Sequence, residues 1–277
     1  MGGRVRTGAK DFLRAYARYR PVEIDRRLGS VDRLVARAAP ELFAAEDLTR
    51  YELRGFSQNG EDGVLVEILN RIGVTQRFFV EFGIQNGAEG NCVLLADVFG
   101  WSGVFIEGDP SDFADLAAKY AGTDVRTVHD LVTAERVEEI FRAAGVPGEP
   151  DVVSIDIDGN DVYVWDALTT FRPRVVMIEY NSGITAPGPV AQPHDPERVW
   201  DGSGAFGASL EALDVVAARK GYRLAHTDLT GVNAFYVREE DWSSLGLGAV
   251  RRRNQNHGLT GIRQPPTAPP GGWQRVD

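Results

Sequence analysis

The sequence predicts an α/β protein with a mainly parallel sheet, helices on both faces, and an antiparallel hairpin at one edge. Three observations carry this. From about residue 57, five apolar segments of strand length alternate with amphipathic helical patterns, as in strands joined by crossover helices. Near the end of the pattern, two strand segments are separated only by a turn around Thr230 and Gly231, which is too short for a crossover and long enough for a hairpin. The composition, 43% hydrophobic and 25% charged over 277 residues, is that of a folded chain with room for one large core and an appendage.

The elements follow in order. Residues 1–55 carry short helical spacings, Phe12-Leu13-Tyr16-Tyr19 and, behind a Ser30 cap, Val31-Leu34-Val35; they read as a helical N-terminal extension. A helical run through Val64, Leu65, Ile68, Leu69 and Ile72 stops at Gly73. Strands are expected at 78–82, 104–107, 125–128, 152–157 and 175–180. Helices are expected at 89–99, 112–120, 134–144 and 161–171. A helix over 210–219 then precedes the hairpin strands 222–226 and 234–237. This makes 56–240 the main domain, with 241–277 as an extension ending in a proline-rich tail. Residues 181–206 contain four prolines and several glycines; a loop of this length in a compact domain is either a functional lid or a plain insertion.

Several function classes are excluded early. No run of about 18 apolar residues exists to span a membrane, and the basic first ten residues lack the apolar stretch of a signal peptide, so a cytoplasmic location is expected. A single cysteine, Cys92, rules out an internal disulfide framework or a multi-cysteine metal centre. The formal net charge of −10 speaks against nucleic acid as a partner. No P-loop pattern occurs, and the acidic segments do not have the glycine placement of an EF-hand.

The residues with chemical content cluster at strand ends. Phe78-Phe-Val-Glu81-Phe-Gly83-Ile-Gln-Asn-Gly87 runs an apolar strand into an acid and a glycine turn. The glycines allow a tight turn and close approach of a ligand to backbone, but their spacing is not that of a nicotinamide site. The second strand ends at Glu107-Gly-Asp109, 26 residues after Glu81, where an acid accepts hydrogen bonds from ribose hydroxyls. His129 and Asp130 follow the third strand, where a polar group either reads an adenine edge or simply occupies a loop. The fourth strand ends in Asp156-Ile-Asp158-Gly-Asn-Asp161 and the fifth in Glu179-Tyr-Asn181. Asp156, Glu179 and Asn181 suit a hard cation such as Mg2+; they equally suit a substrate hydroxyl, with Asp156 as proton acceptor. Asp156-x-Asp158-Gly also has the look of a phosphatase nucleophile loop, a chemistry that needs a downstream lysine. The only one, Lys220, sits at a helix end.

Together, Ser57-Gln58-x-Gly60-Glu61-Asp62, the Glu81–Gly87 turn, Ile106-Glu-Gly-Asp109, Asp156-Ile-Asp-Gly-Asn-Asp161, Ile178-Glu-Tyr-Asn181, Gly207-Ala-Ser-Leu210 and Gly231-Val-Asn-Ala-Phe235 resemble the FkbM-like branch of S-adenosylmethionine-dependent methyltransferases. The resemblance spans residues 55–240 and implies a Rossmann-like class I methyltransferase fold. It further implies O-methylation of a hydroxyl on a small molecule such as a sugar or natural product, with S-adenosylmethionine as cofactor. Cofactor contacts are then expected from Ser57, Glu81, Gly83, Asn86, Gly87, Asn91, Glu107, Gly108, Asp130 and Asp156. Asp156 and Glu179 are the expected catalytic residues, and Asp158, Asn181, Trp200 and Asn233 the expected substrate contacts. Asp156, Glu179 and Asn181 are the set for any Mg2+. The partner is a small-molecule acceptor, with a homo-oligomer left open. Asp158 stands where the commoner pattern has glutamate. A phosphatase or hydrolase using Asp156 and a non-catalytic cofactor-binding module are the competing functions.

Overall fold

The computed structural model describes residues 47–248, 250 and 268–277. The expected helices near Phe12 and Val31 lie outside these residues. In chain order the elements are α1 (Glu61–Ile72), β1 (Phe78–Phe82), α2 (Val93–Asp97), β2 (Ser102–Glu107), α3 (Pro110–Tyr120), β3 (Val125–His129), α4 (Val137–Ala143), β4 (Val152–Ile155), α5 (Asp161–Ala167), β5 (Val175–Glu179), β6 (Val190–Ala191), α6 (Leu210–Lys220), β7 (Tyr222–Thr227), β8 (Asn233–Arg238), α7 (Trp242–Leu245) and β9 (Gln274–Arg275).

Seven strands form one sheet in the order β3-β2-β1-β4-β5-β8-β7. Strands β1 to β5 pair in parallel, and β8 runs antiparallel to both β5 and β7. The expected hairpin therefore exists, with its second strand inserted next to β5. The chain order along the sheet reverses between β1 and β4. In open α/β sheets such a switch point opens a crevice at the carboxyl ends of the strands.

Side chains alternate across the sheet with a period of two, and each face packs its own helices. Val80, Phe82, Ile106, Ile155, Ile178 and Tyr236 face α4, α5 and α6. Phe79, Phe105, Val152, Met177 and Phe235 face α1, α2, α3 and α7. The same alternation assigns Glu81, Glu107, Ser154, Glu179 and Asn233 to the α1 face. Local caps agree with the sequence: Asp109 accepts from the amides of Ser111 and Asp112 with Pro110 at the first helical position, and Ser209 caps α6, which ends at left-handed Gly221.

Several elements are shorter than expected, three of them for a visible reason. The helix expected at 89–99 is only Val93–Asp97 because the amides of Asn91 and Cys92 bond Glu81 and that of Gly90 bonds the Phe56 carbonyl. The helix expected to reach 171 ends at Ala167, where Glu138 takes the amides of Thr169 and Thr170 at 2.7 and 2.6 Å. Strand β4 stops at Ile155, and Ile157 gives its amide to Asp161.

Residues 181–206 are irregular apart from β6, and they are tied down at their base. Strand β6 pairs with β9 of the C-terminal tail, and Ala191 bridges Ala208. The described part of the tail is thus a strand on the edge of this loop, and Val276 donates to the Pro189 carbonyl at 2.9 Å.

Candidate active site

At the end of β1, Glu81 is 4% exposed, and its two oxygens accept the amides of Asn91 and Cys92 at 2.8 Å each. Burial, opposed by those hydrogen bonds, pushes its carboxyl up to about 7. Gly83 follows with φ of +76°, and a Cβ there would lie 1.7 Å from the carbonyl oxygen of Asp156. The glycine turn of β1 is therefore pressed directly onto the end of β4, across the switch point. Gly87 is also left-handed, and a Cβ on it would meet Leu116 at 2.7 Å. Asn91 crosses to β4 through a 3.0 Å bond to the Ser154 hydroxyl. Asn86 makes a local turn with Ala88 and is exposed.

At the end of β2, Glu107 accepts from the amide of Gln85 at 2.6 Å and that of Asp109 at 2.7 Å. One carboxylate thus joins the tip of the β1 turn to the β2 turn. Gly108 lies beneath Leu131, which is exposed despite being apolar, and Phe113 stacks on His129 alongside, centroids 4.8 Å apart. Asp130, expected among the cofactor contacts, has both oxygens on the Arg136 guanidinium at the surface.

The third group joins β4, β5 and α5. Asp156, Asp161 and Glu179 each place one oxygen within 4.8 Å of the others. Burial first, then the neighbouring carboxylates of Asp161, Asp158, Glu81 and Glu61, hold Asp156 well above the ordinary carboxylate range. Asp161 is raised to about 6 by burial, although it accepts the amides of Ile157 and Gly159. Asp158 is exposed and left-handed at φ 56°. The third acid beside Asp156 and Glu179 is therefore Asp161. Asn181 is not available as a ligand: its amide nitrogen donates to the carbonyls of Gly204 and Phe206, and its oxygen accepts from Gly183. Asp161 was visible in the sequence as the last acid of the Asp156-to-Asp161 segment, but nothing in its spacing distinguished a helix-start residue from a site residue.

Two further expected contacts are interior. Ser57 is fully buried and exchanges hydrogen bonds with Asp62. Asn233 is 3% exposed and donates to Glu61 at 2.9 Å. Both serve the turn before α1. Trp200 is 45% exposed on the loop; its indole N–H donates to the Ser203 carbonyl and its ring packs against Phe206, leaving ring surface in solvent.

No protein-family model matches the chain, and no curated protein matches it in sequence. Among solved structures it is similar to Aeropyrum pernix fibrillarin in complex with natively bound S-adenosyl-L-methionine, with 13% identity, 62% of this chain and 73% of that chain covered, and a TM-score of 0.40. It is similar to the N-terminal domain of EvdMO1 with SAH bound, with 16% identity, 74% and 94% covered, and a TM-score of 0.42. A third is the glycopeptide N-methyltransferase MtfA complexed with sinefungin, with 12% identity, 68% and 90% covered, and a TM-score of 0.38. Likenesses this distant do not define a function. The strand order, with one antiparallel strand inserted next to β5, defines the class: a Rossmann-like class I methyltransferase fold.

Proposed function

We propose that the chain is an S-adenosylmethionine-dependent methyltransferase that methylates a hydroxyl oxygen of a small molecule. The carrying observation is the switch point itself: the glycine turn of β1 touches Asp156 there, and the ring of acids at the carboxyl edge matches a ligand that bears sulfonium and ammonium charges. The EvdMO1 domain and MtfA, described with SAH and sinefungin, are consistent with that ligand class. On this reading the turn from Glu81 to Gly87 holds the amino-acid end. Glu107 takes the ribose hydroxyls on its remaining lone pairs, and Gly108 with Leu131 flanks the base.

The cofactor supplies an electrophilic methyl group. The chain's task is to align an acceptor oxygen with it, exclude water and receive the acceptor's proton. Asp156 receives that proton: it is partly buried, and burial with the neighbouring carboxylates raises its carboxyl, a direction that makes its carboxylate a stronger proton acceptor. On this reading Trp200 and Asp158, both exposed, contact the acceptor.

The test is calorimetry with S-adenosylmethionine, paired with methyl-transfer assays over a panel of hydroxylated small molecules. Glu107→Ala should weaken cofactor binding by roughly 1–3 kcal/mol, the loss expected on removing hydrogen bonds to a charged acceptor; unchanged binding would remove Glu107 from the site. Asp156→Asn should bind the cofactor and lose on the order of 100-fold or more in methyl transfer, the range for a lost general base. Full activity in that variant would dismiss Asp156. A second reading rests on the 4.8 Å grouping of Asp156, Asp161 and Glu179, which also suits Mg2+. It alone predicts that a chelator stops methyl transfer and added Mg2+ restores it.

A further inference from the structure

Gln192 is polar, yet it is only 1% exposed. Its side-chain oxygen accepts from the Gly207 amide at 3.2 Å, and its amide nitrogen faces Asn160 Oδ1 at 3.4 Å. Its backbone carbonyl accepts from the Tyr163 hydroxyl at 2.6 Å, and its backbone amide donates to the Gly207 carbonyl at 2.8 Å. Gly159 lies flat beneath it: a Cβ there would come within 2.8 Å of Gln192 Nε2. Asn160 then carries the connection onward by donating to the Asp195 carbonyl at 2.8 Å. All these partners belong to two places. Gly207 and Asp195 lie in or next to the 181–206 loop, and Gly159, Asn160 and Tyr163 belong to the turn and helix that follow Asp156.

A buried amide is expensive unless bonded, and an apolar side chain would fill the same space. What an amide adds is a directional connection between two segments. The turn it reaches is held otherwise by Asp161, which accepts the amides of Ile157 and Gly159. On its other side it rests on Gly83. Gln192 adds its two side-chain contacts to those of Asn160 with Asp195 and of the Tyr163 hydroxyl.

We infer that Gln192 is a positioning residue that couples the 181–206 loop to the turn bearing Asp156, Asp158 and Asp161, so that loop placement and carboxylate placement are one conformational event. The inference rests on the methyltransferase reading only for the meaning of the loop as acceptor cover; the coupling itself stands on the contacts.

Amide hydrogen exchange on the full chain tests it without knowledge of the acceptor. Gln192→Leu keeps the volume and removes both side-chain bonds. Exchange should rise at least about tenfold at Gly207 and, together with it, at Ile157 and Gly159, while the amides of β1 stay at parent rates. Gln192→Glu keeps an acceptor for Gly207 but sets oxygen against Asn160 Oδ1. In that variant Gly207 should stay protected while Ile157 and Gly159 are released. Release of Gly207 in Gln192→Leu with Ile157 and Gly159 as slow as in the parent overturns the coupling. If the leucine variant does not fold, full protection of Ile157 and Gly159 in Gln192→Glu overturns it equally. Calorimetry with S-adenosylmethionine on the parent separates the two readings: no binding there sinks the methyltransferase assignment and leaves the exchange result standing.

Discussion

Gly83 shows how much one residue decides. It is left-handed, where any side chain is strained, and its missing Cβ is what lets β1's turn meet the Asp156 carbonyl at the switch point. The obstacle to a side chain is backbone, so no rotamer change relieves it. Gly83→Ala should therefore cost at least about 3 kcal/mol, combining a φ-incompatible alanine with displacement of a buried strand end. Denaturant unfolding checks this; a loss below about 1 kcal/mol would mean that the two turns are not rigidly joined. Glu81 and Glu107 carry a related lesson. The sequence marks both as ligand-facing acids, and in the structure both first serve the backbone, each holding two amides. An acid at a strand end can organise the loops of a site as well as touch what binds there.

At the scale of elements, carboxylates that capture amides set several of the boundaries. Asp62 gathers the amides of Gly55, Phe56 and Ser57 before α1, Asp151 gathers those of Thr75, Gln76 and Arg77 before β1, and Asp228 shapes the β7–β8 turn through Gly231 and Asn233. The tail acts in the same way on the loop, supplying β9 as a partner for β6. A chain ending at residue 267 should lose that pairing. We expect exchange at Ala191, which pairs with Gln274, to become fast, while α6, the seven-stranded sheet and Val190, whose amide donates to the Ser209 hydroxyl, keep parent protection, because β6 is not part of the main sheet. Unchanged protection at Ala191 would show that the Ala208 bridge suffices.

For the whole molecule, the acidic edge has a consequence for stability. Burial raises Glu81 to about 7, and burial with the charges of Glu61 and Glu52 raises Asp228 to about 7. Both pKa values are raised above those of the unfolded chain, so the folded state holds protons that the unfolded state has released. Their contribution is fully present below the unfolded values near 4 and is lost as pH rises towards and through 7, by up to roughly 3 kcal/mol for such a shift. The melting temperature should accordingly fall between pH 5.5 and pH 8. Glu81→Gln should lower stability overall, since one of the two amides loses its acceptor, yet flatten this pH dependence. A melting temperature that is constant over that range, or an unaltered slope in the variant, would contradict the assignment.

Much of the architecture was legible in residue order alone. Apolar runs of strand length, helical spacing and a turn too short for a crossover specify five parallel strands and a hairpin, because those signals are local and each was strong enough to survive packing. Glu81, Gly83, Glu107 and Asp156 were also legible as strand-end residues, since the carboxyl edge of a parallel sheet follows from chain direction. Tertiary structure alone decided which acids meet. It put Asp161 in the place expected for Asn181, withdrew Ser57 and Asn233 into the support of α1, tied Asp130 to Arg136, and brought Gln192 and the C-terminal strand to the turn and the loop. These outcomes depend on which partner a side chain reaches, whether six residues away as for Asp130 and Arg136 or 172 as for Asn233 and Glu61, and on burial that no neighbouring residue announces; the order of residues carries no record of either.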